Sequence, residues 1–332
     1  MEFFFADWLG TPVWFWLSFA GIVVLLTAFD LGFLHKEDRE MGIAESLKLS
    51  AFYISVALAF GAWIWIERGA DLGLKYFTGF FIEKALSIDN VFVIAMIFTF
   101  FSIPAKYQYR ALLWGIIAVI FLRGLMIAGG AALVAEAYWV LYIFAAFLIA
   151  TGVKMLFASD HAPDIGKNPA VRWISKHMRV TDELHAERFF VRVPDAASGK
   201  LVTAATPLFL ALVVINLADL VFAVDSVPAI FAITTDTFIV YTSNIMAILG
   251  LRALYFALAA MVHRFHYLKF ALALVLVFIG SKILIADFLL GGAKFPPLAS
   301  LGITLGLIAG GILYSLWKTK VSTTAADGSA AS

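Results

Sequence analysis

The apolar positions of this chain fall in long unbroken blocks, separated by short polar connections. Nine such blocks stand out, over residues 13–34, 47–66, 74–100, 111–134, 137–157, 205–232, 237–261, 268–289 and 297–317. Each approaches or exceeds the roughly 20 apolar residues that carry a helix across a bilayer core of about 30 Å. The pattern predicts an all-α polytopic membrane protein with nine transmembrane helices. One connection is long: residues 158–204 contain a basic amphipathic piece, NPAVRWISKHMR, and then ERFFVRV, PDAASG and KLVTA, which read as strand, turn and strand. The end of the chain, STTAADGSAAS, has no apolar content to order it, and disorder is expected there. The expected organisation is therefore helices 1 to 5 over 1–157, a cytoplasmic loop over 158–204, helices 6 to 9 over 205–317 and a disordered tail over 318–332.

Composition agrees: 63% of the 332 residues are hydrophobic and 14% charged, against about a quarter charged in a soluble domain. The absence of cysteine excludes disulfides, thiolate metal clusters and a thiol nucleophile. A net charge of +1 with no basic stripe gives no footing for a nucleic-acid partner. Lys and Arg divide unevenly between alternate connections. Sixteen lie on one side, among them Lys36, Arg39, Lys106 and Arg110, and three on the other, Arg68, Lys75 and Lys294. Basic residues collect on the cytoplasmic side, so the amino terminus is expected outside, the carboxyl terminus inside, and the first helix, preceded by the acidic and aromatic MEFFFADWLG, retained.

Ten charged residues interrupt the apolar blocks: Asp30, Glu83, Asp89, Asp219 and Asp225, with Lys84, Arg123, Lys154, Arg252 and Lys282. Facing lipid they would cost about 2.5–3.5 kcal/mol each, so they must face inward and meet partners. Asp30 and Lys154 lie close enough to span ends for snorkelling to account for them. For the bases, ion pairing within the bundle is the expected role.

The acids carry a repeat. Glu83-Lys-Ala-Leu-Ser-Ile-Asp89-Asn-Val matches Asp219-Leu-Val-Phe-Ala-Val-Asp225-Ser-Val, Leu122-Arg123 matches Leu251-Arg252, and Gly152-Val-Lys154 matches Gly280-Ser-Lys282. Each copy is three spans long, helices 3 to 5 and 6 to 8. An odd number inverts the second copy, and inverted-topology repeats belong to transporters that hold substrate near the midplane. Glu83, Ser87 and Asn90 share one helical face, as do Asn216, Asp219 and Ser226. Pro228, three residues after Asp225, predicts a kinked or broken helix that frees the carbonyl of Val224. Glu83, Ser87, Asp89, Asn90, Asn216, Asp219, Asp225 and Ser226 are the candidate metal ligands. All are oxygen donors, suited to a hard divalent cation. The six histidines, His35, His161, His177, His185, His263 and His266, fall in predicted loops, which disfavours a zinc or copper site within the membrane. In the last span Gly302, Gly306 and Gly310 form a stripe that predicts close helix packing.

The segments EKALSIDNVFV and DLVFAVDSVPAIFAITTDTFIVYTSNIMAILGLRALYF closely resemble the signature segments of the TerC family of integral membrane proteins, and the resemblance covers nearly the whole chain. It implies manganese homeostasis, chiefly export, and kinship with cation and amino-acid exporters of the LysE type; older naming links the family to tellurium resistance. The family's motif acids map to Glu83, Asp89, Asp219 and Asp225. Three residues before Asp219, where the family usually has Glu, this chain has Asn216, which keeps an oxygen but not the charge.

The expected function is therefore export of Mn²⁺ across a bacterial inner membrane, with the metal as cargo, no prosthetic group and protons as counter-ion, since neighbouring carboxyl groups exchange a metal for protons. No catalytic residues are expected: the chain contains no HExxH, GxSxG or phosphate-loop motif. The competing expectation is a membrane scaffold or assembly factor in which the same acids are structural ion pairs.

Overall fold

A computed structural model describes residues 2–33, 42–157, 169–181, 183–194, 201–259, 268–288 and 295–329. A short helix α1 (Glu2–Phe5) and a two-residue hairpin, β1 (Asp7–Trp8) with β2 (Thr11–Pro12), precede the first long helix α2 (Val13–Phe33). Next come α3 (Ile43–Arg68), α4 (Ala70–Phe100), α5 (Ala105–Glu136) and α6 (Val140–Phe157), then the polar insertion with α7 (Pro169–His177) and the antiparallel pair β3 (Phe190–Pro194) and β4 (Leu201–Ala205). The bundle resumes with α8 (Pro207–Phe231), α9 (Thr237–Leu249), α10 (Leu251–Ala259), α11 (Leu268–Phe288) and α12 (Pro297–Ser329). Seven of these helices are long and apolar enough to cross a membrane, and eight spans result if α9 and α10 are one. The 31-residue α4, which carries most of the first copy's charged motif, is not among them.

The exterior confirms which solvent the bundle expects. Leu25, Phe121, Leu125, Val221 and Leu313 stand out from the helices into open space, an apolar surface that suits hydrocarbon. Inside, α2, α3, α4 and α9 close over an aromatic core around Phe60, Tyr76, Phe80 and Phe238. A second core joins α4, α5, α8 and α10 around Phe98, Leu112, Leu208 and Tyr255.

Helix ends are held by side chains. Thr206 caps α8, its hydroxyl accepting from the N–H of Phe209, with Pro207 in the first turn. Asp236 caps α9 by accepting from the N–H of Ile239 at 3.1 Å, and its other oxygen pairs with Arg68 at 3.1 Å. Arg68 also donates to Thr11 at 2.9 Å, so one side chain joins the end of α3, the amino-terminal hairpin and the start of α9. Gly69, at φ +92°, turns the chain from α3 into α4 where a side chain would be strained.

The closest packing pairs α6 with α11, and it is reciprocal. A Cβ on Gly152 would lie 2.6 Å from the carbonyl oxygen of Ala273 and 2.8 Å from Val277; one on Gly280 would lie 2.6 Å from that of Ala145 and 2.8 Å from Ile149. α4 also packs extensively on α9, and α5 on α8.

Three expectations need correction. The helix carrying Pro228 does not break: α8 continues to Phe231, and the N–H of Ala232 donates to the carbonyl of Pro228. The break instead lies at Gly250, where α9 and α10 meet at 41°. The glycine stripe of the last span does not pack against the described residues, since a Cβ on Gly302, Gly306 or Gly310 meets nothing of them within 4 Å. Finally, the segment after Lys318 continues as helix to Ser329. Once a helix is nucleated each further residue adds a hydrogen bond at little cost, and no proline interrupts it. Residues 330–332 lie outside the described residues, as do His35, His161, His263, His266, Lys36, Arg39 and Lys294.

Candidate functional site

The middle of α5 places Arg123 in the protein interior, 1% exposed, and its guanidinium organises the site. Nε donates to Asp219 Oδ2 at 3.1 Å and Nη2 to Asp219 Oδ1 at 3.0 Å, a bidentate pair. Nη1 is paired with Glu83 Oε1 and also donates to Ser226 Oγ at 3.2 Å and Asn244 Oδ1 at 2.5 Å. Four helices thus converge: α4 with Glu83, α5 with Arg123, α8 with Asp219 and Ser226, and α9 with Asn244. Asp219 and Ser226 meet the same partner because seven residues are two helical turns.

Among the described residues one guanidinium bonds two acids here, and the Lys84 ammonium also interacts electrostatically with Glu83. Glu83 is 1% exposed, and among the described residues its Oε2 has no hydrogen-bond partner. A buried carboxylate oxygen left without a partner is costly, so the cluster has capacity for a further cation or proton.

A second buried pair stands beside it. Arg252, at the start of α10, is paired with Asp30 near the end of α2, and its guanidinium lies 4.1 Å from the ring centre of Tyr109. Tyr109 in turn donates to the backbone carbonyl of Asp30 at 2.8 Å. Asp30 is 5% exposed, which corrects the snorkelling account: its carboxyl group is turned into the bundle by a base rather than out toward the interface. A cavity of about 20 Å³ lies between the two networks, lined by Asp219, Asn90, Phe222 and Arg252. That is room for about one water.

The other candidate ligands divide. Asn90 is buried and lines this cavity. Ser87 is buried but donates to the carbonyl of Glu83 at 2.7 Å, a bond within its own helix. Asn216 donates to the carbonyl of Leu212 at 2.8 Å, and among the described residues its buried Oδ1 has no partner. Asp225 is half-buried and accepts from Thr151 of α6 at 3.3 Å, apart from the Arg123 cluster. The side chain of Asp89 lies outside the described residues. Among the described residues no three of His, Asp and Glu stand close enough together to hold a metal. Asn244 was not among the sequence candidates. It has no counterpart in the repeat, and its only signal was an amide inside an apolar block.

Lys84, next to Glu83, points elsewhere and donates to the carbonyl of Ala247 at 3.0 Å. It thereby serves the carboxyl end of α9 at the Gly250 break, where a lysine is favoured. A Cβ on Gly250 would lie 3.1 Å from its Nζ.

The geometry brings together Glu83 and Asp219, one acid from each signature segment, and comparison with known proteins gives those segments a family. The model of the integral membrane protein TerC family matches residues 68–323. The chain belongs to the TerC family. This TerC protein is 47% identical over 306 residues to an uncharacterized membrane protein of Rickettsia bellii, covering 92% of this chain and 98% of that one. It is 43% identical over 317 residues, 93% and 95% of the two chains, to a protein of Escherichia coli K12 named as the putative membrane-bound redox modulator Alx. A Myxococcus xanthus membrane protein of unassigned function is 42% identical over 309 residues, covering 93% of this chain and 94% of that one. No solved structure matches the TerC chain.

Proposed function

We propose that this protein is a carrier, not an enzyme, which exports Mn²⁺ through the buried carboxyl cluster in exchange for protons. The observation that carries the proposal is the convergence of Glu83 and Asp219 on the single guanidinium of Arg123, with Glu83 Oε2 left unpartnered. Two acids share one guanidinium, and the carboxyl oxygen left free among the described residues gives a place for a mobile charge. The surrounding donors, Ser226, Asn244, Asn90 and Asn216, are neutral oxygens or amides, which suits a hard divalent ion. Manganese and the outward direction come from the family resemblance.

In this reading Arg123 is a tethered cation that holds the acids together while cargo is absent. An arriving divalent ion takes the carboxyl oxygens and the guanidinium withdraws; protons restore the empty state. The reciprocal packing of α6 on α11 through Gly152 and Gly280, with α4 packed on α9 and α5 on α8, supports two inverted three-helix units. Such units rock about a fixed midplane site. The sixteen-to-three division of basic residues supports an inner-membrane orientation with the carboxyl terminus in the cytoplasm.

The bidentate geometry of Arg123 on Asp219 favours a second reading, a scaffold with structural ion pairs. The name of the Alx relatives suggests redox modulation; in this chain that role has no thiol to act through. Manganese flux into proteoliposomes decides between carrier and scaffold. Glu83→Gln, Asp219→Asn, Asp89→Asn and Asp225→Asn are each reconstituted, with folding checked by gel filtration. The carrier predicts that Glu83→Gln and Asp219→Asn remain monodisperse and lose flux. Unchanged flux in both would sink it, and loss of flux only together with loss of folding would favour the scaffold.

A further inference from the structure

At the end of the bundle that holds Arg68, a cavity of about 330 Å³ opens between the start of α4, the ends of α8 and α11 and the first turn of α12. Its polar lining includes Lys282, Lys75, Asp71, Thr78, Thr234 and Ser300. Lys282 is 8% exposed. Among the described residues the ammonium has one partner, the Ser300 hydroxyl at 3.3 Å, and no carboxylate within ion-pair distance. A buried ammonium has three protons to donate and is favoured by an anion beside it. Lys75, the second base, is paired with Asp71 at 2.5 Å, so among the described residues two bases face one acid here. Pro297 and Ser300 place the amino-terminal turn of α12 on the wall, and the positive end of a helix adds to the attraction for negative charge. The rest of the wall is apolar and aromatic, with Tyr138, Leu141, Phe231 and Phe295.

We propose that this cavity binds a phosphate group, carried by an anionic lipid headgroup or free in solution, with Lys282 and Ser300 as the primary contacts and Lys75 as a secondary one. The buried Lys282 supplies the charge, the hydroxyls of Ser300 and Thr234 supply neutral donors, and the apolar wall fits the glycerol and acyl carbons beyond a headgroup phosphate. The site is separate from the carboxyl cluster and does not depend on what that cluster transports.

The test uses the full chain, purified in detergent and stripped of lipid. Phosphatidylglycerol, phosphatidylcholine and inorganic phosphate are titrated separately, with retained adducts counted by native mass spectrometry and thermal stability followed in parallel. Phosphatidylglycerol should be retained and should stabilise the wild type, and Lys282→Gln should weaken its binding by about tenfold or more, the effect expected on losing a charged hydrogen-bond donor. Lys282→Arg should keep most of the binding, Ser300→Ala should weaken it, and Arg172→Gln, in α7, should leave it unchanged. A response to phosphatidylglycerol alone assigns the site to a headgroup, and a response to inorganic phosphate as well assigns it to the free oxyanion. If Lys282→Gln misfolds, Ser300→Ala and Lys75→Gln carry the test. Binding of phosphatidylglycerol no tighter than phosphatidylcholine, with no response to phosphate, overturns the proposal. So does binding that none of these substitutions changes.

Discussion

Removing the Arg123 guanidinium strands two buried carboxyl groups. Arg123→Met should therefore destabilise the bundle by about 3–5 kcal/mol, the usual result of breaking a buried pair from one side, read as a lowered unfolding midpoint in detergent. Adding Glu83→Gln and Asp219→Asn to Arg123→Met removes the stranded acids and should return most of that stability, while manganese flux stays absent. Arg123→Lys should not rescue the single substitution, since an ammonium cannot span both oxygens of Asp219 and reach Glu83 and Asn244 as well. Asp30→Asn makes the complementary case: Arg252 Nη1 is already buried without a partner, so losing the carboxylate should cost a similar amount. At this scale the sequence showed which side chains needed partners but not which partners they take. The repeat marked Glu83 and Asp219 as equivalent, and helical spacing placed Ser226 with Asp219. That both acids would share Arg123, and that Asp30 would reach Arg252 across 222 positions, depends on how the helices pack, which no local pattern encodes.

The glycines separate the helix contacts that matter from those that do not. In α6 and α11 a single methyl at Gly152 or Gly280 would meet a backbone carbonyl at 2.6 Å, an atom that cannot move aside. Gly152→Ala and Gly280→Ala should each cost about 1–3 kcal/mol. In α12, Gly306→Ala meets open space and should stabilise the helix by up to about 1 kcal/mol. Thermal unfolding of the three variants side by side checks the contrast, which would fail if Gly152→Ala and Gly306→Ala moved the midpoint alike. Small-residue spacing alone pointed to the wrong helix as the close-packed one. Likewise proline is the stronger local cue for a bend, yet the break came at Gly250. There the Lys84 ammonium, from a helix far away in sequence, meets the Ala247 carbonyl. Lys84→Met should loosen this junction, raising hydrogen exchange at the end of α9 while leaving α5 unchanged.

At the scale of the whole molecule, the long apolar helices were legible because a bilayer imposes one length on every span. How they exchange access to the two sides was not, since that is a property of two arrangements of one chain. The absence of native cysteine makes this testable, because a single introduced thiol is the only one present. Phe222→Cys lines the narrow cavity between the Arg123 and Arg252 networks, beside the proposed path of the ion. If the two halves alternate about the carboxyl cluster, a membrane-impermeant maleimide should label Phe222→Cys slowly from one face of an oriented membrane. Saturating Mn²⁺ should then change that rate severalfold. A ligand moves a conformational balance only by binding one arrangement better than the other, so Glu83→Gln in the same background should abolish the metal effect while leaving the basal rate near its starting value. Labelling that ignores manganese in both proteins would mean that the cluster is fixed in place, and that its acids hold the bundle together without carrying anything through it.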